Sequence, residues 1–370
     1  MAQILVLGGA GEMGSMAVTD LTGRTGHEVT IGDLRLDAAG SLLRRLGAPE
    51  NVIEVDVADS EALGAALAGA DVVVNATLMR HNVAVTDAAI AAGVHLVDLG
   101  SYYPETLQQL ERGAAAEAAG SRIVIGCGVA PGLTNILARL GADNLDSVET
   151  VRMYSYGTHP LSTSPGIVVT RFDVAAVPSL IYERGELVER PSFGDEEQVV
   201  FPEPYGEQTV YLVPHPEPVT LPRHLDVENV VIKLGYPPAD RRALQVLLEL
   251  GFDREEPFDL DGVSVSPRRF AAAYVGSRGI PDGFRSANVK QVCVEGVREG
   301  RALTLVYDFA TEAVGRSASS VVTGTVAAIS ADLVAQGGPA GVNPPEGVFD
   351  ARAFVAALAE RGLTVTETER

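Results

Sequence analysis

Met1-Ala-Gln-Ile-Leu-Val-Leu-Gly-Gly-Ala-Gly-Glu-Met-Gly14 is the stretch from which the rest of the chain is read. Ile4 to Leu7 is a short apolar run ended by Gly8, the pattern of a parallel strand buried on both faces. Gly9, Gly11 and Gly14 follow in a Gly-x-Gly-x-x-Gly arrangement that includes Glu12 and Met13, and Met16 to Leu21 continues as a helix. The first glycine permits a tight turn, the second lets a pyrophosphate approach the backbone, and the third lets helix and strand pack closely. The start of the helix offers unpaired N–H groups and the positive end of its dipole to phosphates. An ordinary strand–helix turn is the competing reading, since glycine clusters mark turns of many kinds. Asp33 weighs against it: it stands nineteen positions after Gly14, at the end of the next strand, where an acidic side chain takes ribose hydroxyls. Leu34 and Arg35 come next. Asp33 repels a 2′-phosphate and favours NAD, while Arg35 could pair with that phosphate and keeps NADP open.

Beyond Asp33 the chain alternates regularly. A helix is expected over Asp37 to Leu46, and a strand over Asn51 to Val57 that places Asp56 and Val57 against an adenine ring. A helix then runs to Leu67, and the apolar strand Ala70 to Ala76 delivers Asn75, Ala76 and Leu78 to the edge where ligands enter such sheets. Helix Asn82 to Ala92, strand His95 to Leu99, helix Pro104 to Ala119 and strand Arg122 to Gly126 complete a doubly wound parallel sheet. The last strand leads into Cys127-Gly-Val-Ala-Pro-Gly-Leu-Thr-Asn135. That loop is either a simple crossing between domains or the wall of a nicotinamide pocket, with Gly128, Val129 and Pro131 against the ring.

The composition narrows the function. With 370 residues there is room for two domains and a large core. A formal charge of −21 excludes a nucleic-acid partner, because no basic stripe is available to neutralise phosphates. Two cysteines, Cys127 and Cys293, make neither a disulfide framework nor a zinc site, and no metal is expected. The N-terminal apolar run is too short for a leader, and no stretch is read as long and apolar enough for a membrane helix, so a cytoplasmic location is the expectation.

From Glu149 the pattern changes to strand-like runs separated by prolines, which reads as a largely antiparallel sheet. Arg241 to Leu250 and Pro267 to Tyr274 read as amphipathic helices, and Val289 to Glu299 pairs with Arg301 to Phe309 as a hairpin. Ser317 to Val334 is a long helix of small residues, and Asp350 caps a last helix.

Ile4–Gly14, Asp98-Leu99-Gly100 and Gly126–Asn135, in this order and spacing, resemble the saccharopine dehydrogenase-like reductases, and Gly128–Asn135 is similar to the loop of the lysine 6-dehydrogenases. Val219–Arg223, Gly341–Glu346 and Phe349–Phe354 extend the likeness along the whole chain, while Thr77–His81 and Ser164–Phe172 depart from it. The resemblance implies a Rossmann domain over residues 1–130, completed by C-terminal helices of 316–370, and a mixed α/β substrate and oligomerisation domain over 131–315. It further implies a homodimer or homotetramer and hydride transfer at a carbon–nitrogen bond of an amino acid or amine. The side-chain amine of L-lysine is the first substrate it suggests. A reductase forming a secondary amine is the alternative enzyme, and a non-catalytic dinucleotide sensor the alternative of another class.

Removing hydride from a carbon that bears an amine requires the amine to be neutral, and lysine's ammonium has a reference pKa of about 10.4. A proton acceptor is therefore needed. Asp98, beside Leu99 at a strand end, is the first candidate, against a reading in which it only accepts hydrogen bonds from its neighbours. His81 can shuttle protons or merely cap its helix, and Tyr102 and Tyr103 can bind substrate or pack the cleft. Arg223, with Thr220 three residues before it, could grip a carboxylate, and His159 is a weaker substrate contact.

Overall fold

The computed structural model describes residues 1–49, 51–100, 102–158 and 165–370. His159 lies outside them. The first sheet holds β1 (Gln3–Leu7), β2 (Glu28–Asp33), β3 (Val52–Glu54), β4 (Val72–Asn75), β5 (His95–Asp98) and β6 (Arg122–Val124), all parallel, in the order 6-5-4-1-2-3. Their residues are apolar on both sides because helices cover both faces, so the runs lack the alternation of a half-exposed strand. The strand order reverses between β1 and β4, which opens the ligand-binding crevice at their carboxyl ends.

A seventh strand, Gly341–Asn343, extends this sheet beside β6 and comes from the far end of the chain. The helix expected over Pro104 to Ala119 is two helices, Tyr103–Leu110 and Gly113–Ala119. Gly113 supplies little helical preference at the break. Ser317 caps a helix, Ala318–Gln336, that lies across helix α1 (Glu12–Arg24). This helix is 19 residues long with a mean hydropathy of 1.5, so by length and composition alone it is long and apolar enough to cross a membrane, against the expectation that no stretch is. Its position explains the composition: 72% of its most apolar window is buried inside the protein, and Gly324 lies where a Cβ would stand 2.4 Å from that of Met16. Small residues serve close approach here.

The second sheet is built around Ser147–Thr158 and the long hairpin Arg285–Arg298/Arg301–Val314. It is antiparallel except that Asn229–Gly235 runs parallel to Ser147–Thr158. One face of its central strands, carrying Val151, Met153, Val292 and Val294, joins the core shared with helix Leu133–Ala142. The opposite face carries Tyr154, Tyr156, Val289 and Cys293. The last strand, Val365–Glu369, pairs with Arg301–Val314 and so belongs to this second sheet. Helix Pro165–Ala176 and hairpin Ser179–Glu183/Glu186–Arg190 also have no counterpart in the sequence reading.

Candidate active site

The glycine turn has the shape of a phosphate cradle. A Cβ at Gly14 would lie 2.3 Å from the Gly8 carbonyl oxygen, and one at Gly9 would lie 2.9 Å from Ile31 Cγ2. Helix α1 opens at Gly11 with no side-chain cap, which leaves its first N–H groups for a ligand. The Asp33 carboxylate accepts hydrogen bonds from Ala10 N at 2.9 Å and from Arg35 N at 2.9 Å, so the acid at the end of β2 also fixes the turn. Leu34 and the Arg35 side chain are exposed beside it. Asp56 is exposed and holds its own turn through Ala58 N, with Val57 partly buried next to it. The uncapped helix start and the close-packed glycine turn, with Asp33 beside them, fit the phosphates and a ribose of a dinucleotide.

At the ends of β4 and β5 the backbone is tied by buried amides. Asn75 donates to Asn82 Oδ1 at 2.9 Å, and Asn82 donates to the Gly100 carbonyl at 3.3 Å. Ala76 N donates to the Leu7 carbonyl, and Leu78 packs near Gly166 of helix Pro165–Ala176. Leu99 is partly buried beside these ties. The loop after β6 folds back on itself: Gly128 N donates to the Pro131 carbonyl at 2.9 Å, and Gly132 N donates to Asn135 Oδ1 at 2.9 Å. Gly132 has φ +127°, and a Cβ there would lie 2.0 Å from the Gly128 carbonyl oxygen. Val129 is buried, and Pro131 packs onto Gly100. Cys127 is fully buried and its thiol is pushed up by burial, which makes it inert.

Asp98 corrects the first catalytic expectation. Its side chain has no solvent exposure. One carboxylate oxygen accepts from Gly100 N at 2.8 Å and Gly126 N at 2.7 Å, and the other from Gln109 Nε2 at 2.7 Å. Burial raises its pKa while these three donors pull it down. Asp98 fastens the ends of β5 and β6 together and has no path to a substrate.

The structure also places the other predicted site residues. The Tyr102 hydroxyl is buried and donates to the Thr170 carbonyl at 2.6 Å, which joins the first domain to helix Pro165–Ala176. Tyr103 is half-buried, with its N–H donating to the Pro214 carbonyl at 3.4 Å. His81 is half-buried and takes a hydrogen bond from Arg80 Nε at 3.2 Å; burial and Arg80 lower its pKa, while Asp56 raises it. Arg223 is exposed next to His224, whereas Thr220 turns inward and accepts from Asn135 Nδ2 at 3.1 Å.

A group that the sequence reading missed lies across the crevice. Val294 packs on Gly141, near the C-terminal end of helix Leu133–Ala142. Lys290 is two alternations earlier on the same face, which brings it to the other end of that helix, beside the Gly128–Gly132 loop. It is 2% exposed, and its ammonium position donates to Ser155 Oγ. Burial lowers its pKa to about 7, with Glu217 pulling the other way. Glu217 is fully buried, accepts from Thr134 Oγ1 at 3.0 Å, and lies 3.3 Å from His215 Nδ1 without hydrogen-bond alignment. Glu346 is buried nearby. Burial raises it to about 7 although Thr220 and Asn135 oppose this, and neither of its oxygens has a well-aligned partner. The signal was present in the strand pattern: a lysine in line with Val292 and Val294 belongs to an apolar face.

Between the ends of β4 and β5 and helix Pro165–Ala176 is a cavity of about 670 Å³. Tyr102, Arg80, Arg268, Arg269, Glu105 and Asp173 are among its lining. Arg268 is committed to Asp173 and to Glu255, the latter at 3.2 Å. Among the described residues no three His, Cys, Asp or Glu side chains cluster to hold a metal.

Comparison with known proteins agrees with this geometry. Residues 4–124 match the family described as saccharopine dehydrogenase NADP binding domain, and residues 128–363 match the saccharopine dehydrogenase C-terminal domain. The chain is 24% identical over 319 residues to carboxyaminopropylagmatine dehydrogenase of Synechocystis, covering 80% of this chain and 79% of that one. Its fold is that of apo saccharopine dehydrogenase (L-Glu forming) from Saccharomyces cerevisiae, with a TM-score of 0.74 over 100% of both chains at 18% identity.

Proposed function

The chain belongs to the saccharopine dehydrogenase family and is a nicotinamide-dinucleotide-dependent oxidoreductase, and from that premise we propose that it acts on a carbon–nitrogen bond of an amino-acid-derived amine. The observation that carries this reading is Lys290, a buried amine beside Ser155 and Glu217 at the start of the helix that follows the Gly128–Gly132 loop. When bound, the nicotinamide accepts or donates the hydride. In the oxidative direction Lys290 Nζ takes the proton from the substrate ammonium, which leaves a nitrogen lone pair to assist hydride departure. In the reductive direction the same atom returns it. Glu217 favours the protonated form of Lys290 and burial favours the neutral one, so the amine is poised near neutral pH.

Two substrate readings follow. The arginines of the 670 Å³ cavity favour a secondary amine that carries more than one carboxylate, since Arg80 and Arg269 are not held by buried acids there. The similarity of Gly128–Asn135 to the lysine 6-dehydrogenase loop favours L-lysine, oxidised at its side-chain amine to the 6-semialdehyde. The test is NADH or NADPH formation by purified protein at mildly alkaline pH with L-lysine, saccharopine and simple diamines. Saccharopine-type turnover supports the first reading and lysine turnover the second. Dinucleotide binding with no turnover in either direction sinks both and leaves a non-catalytic sensor. For the cofactor, Asp33 favours NAD, and Arg35 leaves room for the 2′-phosphate of NADP.

A further inference from the structure

Arg171 lies within helix Pro165–Ala176 and is only 8% exposed. Among the described residues no carboxylate lies within ion-pair distance of its guanidinium, and NH1 has no hydrogen-bond acceptor. Burial lowers its pKa, and the groups that act on it electrostatically are Tyr236 and Asp240. A buried cation left in this way is expensive to desolvate, and a native fold keeps one only where something compensates.

Sheet register locates the compensation. Lys290 pairs with Ser155, and Ser155 with Leu234, so these three form one row across the crevice-facing side of the second sheet. One alternation further, Asn288 pairs with Gly157, and Tyr236 continues the same side beyond Gly235. Arg171, within electrostatic reach of Tyr236, stands at the Tyr236 end of the row that adjoins Lys290. Asn288 is 2% exposed, and its side-chain oxygen also has no partner. The row with the helix beside it thus presents an unpaired buried donor that is cationic, on Arg171, and an unpaired buried acceptor that is neutral, on Asn288.

We propose that Arg171 and Asn288 form a binding site for an α-amino acid head group, with the guanidinium taking the carboxylate and the amide oxygen accepting from the ammonium. Each ligand charge meets the group that the fold leaves unfilled, and a guanidinium matches a carboxylate in two-point geometry. The proposal rests on the functional reading above only in taking the substrate to be derived from an amino acid. It fixes the head group one row away from Lys290, so that the rest of the substrate carries the reacting nitrogen to Lys290 Nζ.

L-norleucine carries the head group without a side-chain amine, so it binds without reacting there; hexanoate lacks the ammonium and pentylamine the carboxylate. Calorimetry and thermal shift on the full chain should show L-norleucine binding at least tenfold tighter than either fragment. In Arg171→Met that advantage should vanish, while the melting temperature of the free protein stays equal or rises because an uncompensated charge is gone. Arg171→Lys keeps a charge and should bind L-norleucine several-fold more weakly than the native protein, which preserves the test if the methionine variant does not fold. Unchanged norleucine binding in a folded variant, or no norleucine binding by the native protein, overturns the proposal. So does a lowered melting temperature with intact binding, which would mark Arg171 as a structural group. The functional reading fails separately, on absence of turnover with the amines and secondary amines.

Discussion

Two buried polar regions lie on opposite sides of the crevice and differ in one respect. At the end of β5, Asp98 has donors on both oxygens and no exposure. Across from it, Arg171, Asn288, Glu217 and Glu346 each keep at least one buried atom without a hydrogen-bond partner. The Asp98 carboxylate is saturated without a ligand, although Oε1 of its partner Gln109 has no donor, whereas the charged groups of the second region are not saturated. Burial alone therefore does not separate framework from function here. The filling of the charged groups does: the Asp98 carboxylate is saturated, while Arg171, Glu217 and Glu346 keep unfilled buried atoms whose cost a ligand can return.

The comparison is broken most severely by emptying the satisfied side. Asp98→Ala leaves Gly100 N, Gly126 N and Gln109 Nε2 without their acceptor, and should cost about 3–5 kcal/mol in urea unfolding. If Asp98→Asn retained native stability but lost all turnover, the assignment of Asp98 to the framework would be wrong.

On the unsatisfied side the effect should fall on rate. Lys290→Met is expected to lower kcat by about a hundredfold or more with dinucleotide affinity held. The native rate should rise as pH passes through about 7, where Lys290 gives up its proton, and the variant should lack that limb. Stability carries a second signature. Unfolded lysine stays protonated to about pH 10.4. Between about 7 and that value the unfolded chain binds the extra proton, so Lys290 makes the fold more stable as pH rises, and Lys290→Met flattens this rise. Glu346 acts in the opposite sense at lower pH. Its folded form keeps a proton up to about 7, so stability falls as pH climbs from 4.5 toward that value. A melting profile without either slope would show that these groups are solvated.

The smallest expected effect concerns cofactor choice. Arg35→Ala should weaken NADP binding by about tenfold and leave NAD nearly unchanged, since the guanidinium is exposed and its loss disturbs no packing. Equal loss of both would assign Arg35 to the adenosine rather than to a 2′-phosphate.

The legibility of the sequence follows the same division. The first sheet was readable because each of its strands is a short apolar run followed within a few residues by a helix, and because glycines at fixed spacing have one steric use. The dinucleotide cradle came with it. Lys290 and Arg171 were not found because their roles arise from neighbours distant in sequence: Ser155 and Glu217 for the one, Tyr236 and Asp240 for the other. Pro165–Ala176 is rich in β-branched residues and reads poorly as a helix, although tertiary packing of Val168 and Phe172 makes it one. Asp98 was noticed for its place at a strand end, yet that place could not say whether its oxygens were spoken for.

Helix Ala318–Gln336 and strand Gly341–Asn343 have a consequence for how the molecule is made. Ala17, Val18 and Leu21 of helix α1 share a core with Val322, Val326 and Ala327, and β6 awaits its outer neighbour until residue 341. During synthesis the first 130 residues leave the ribosome with one apolar face open and one sheet edge bare. Nearly two hundred residues, at about 5–20 residues per second, separate them from the segment that covers both. The dinucleotide domain is thus begun first yet completed only at residue 343, shortly before Val365–Glu369 closes the second sheet, and through that interval its open face and edge stand exposed.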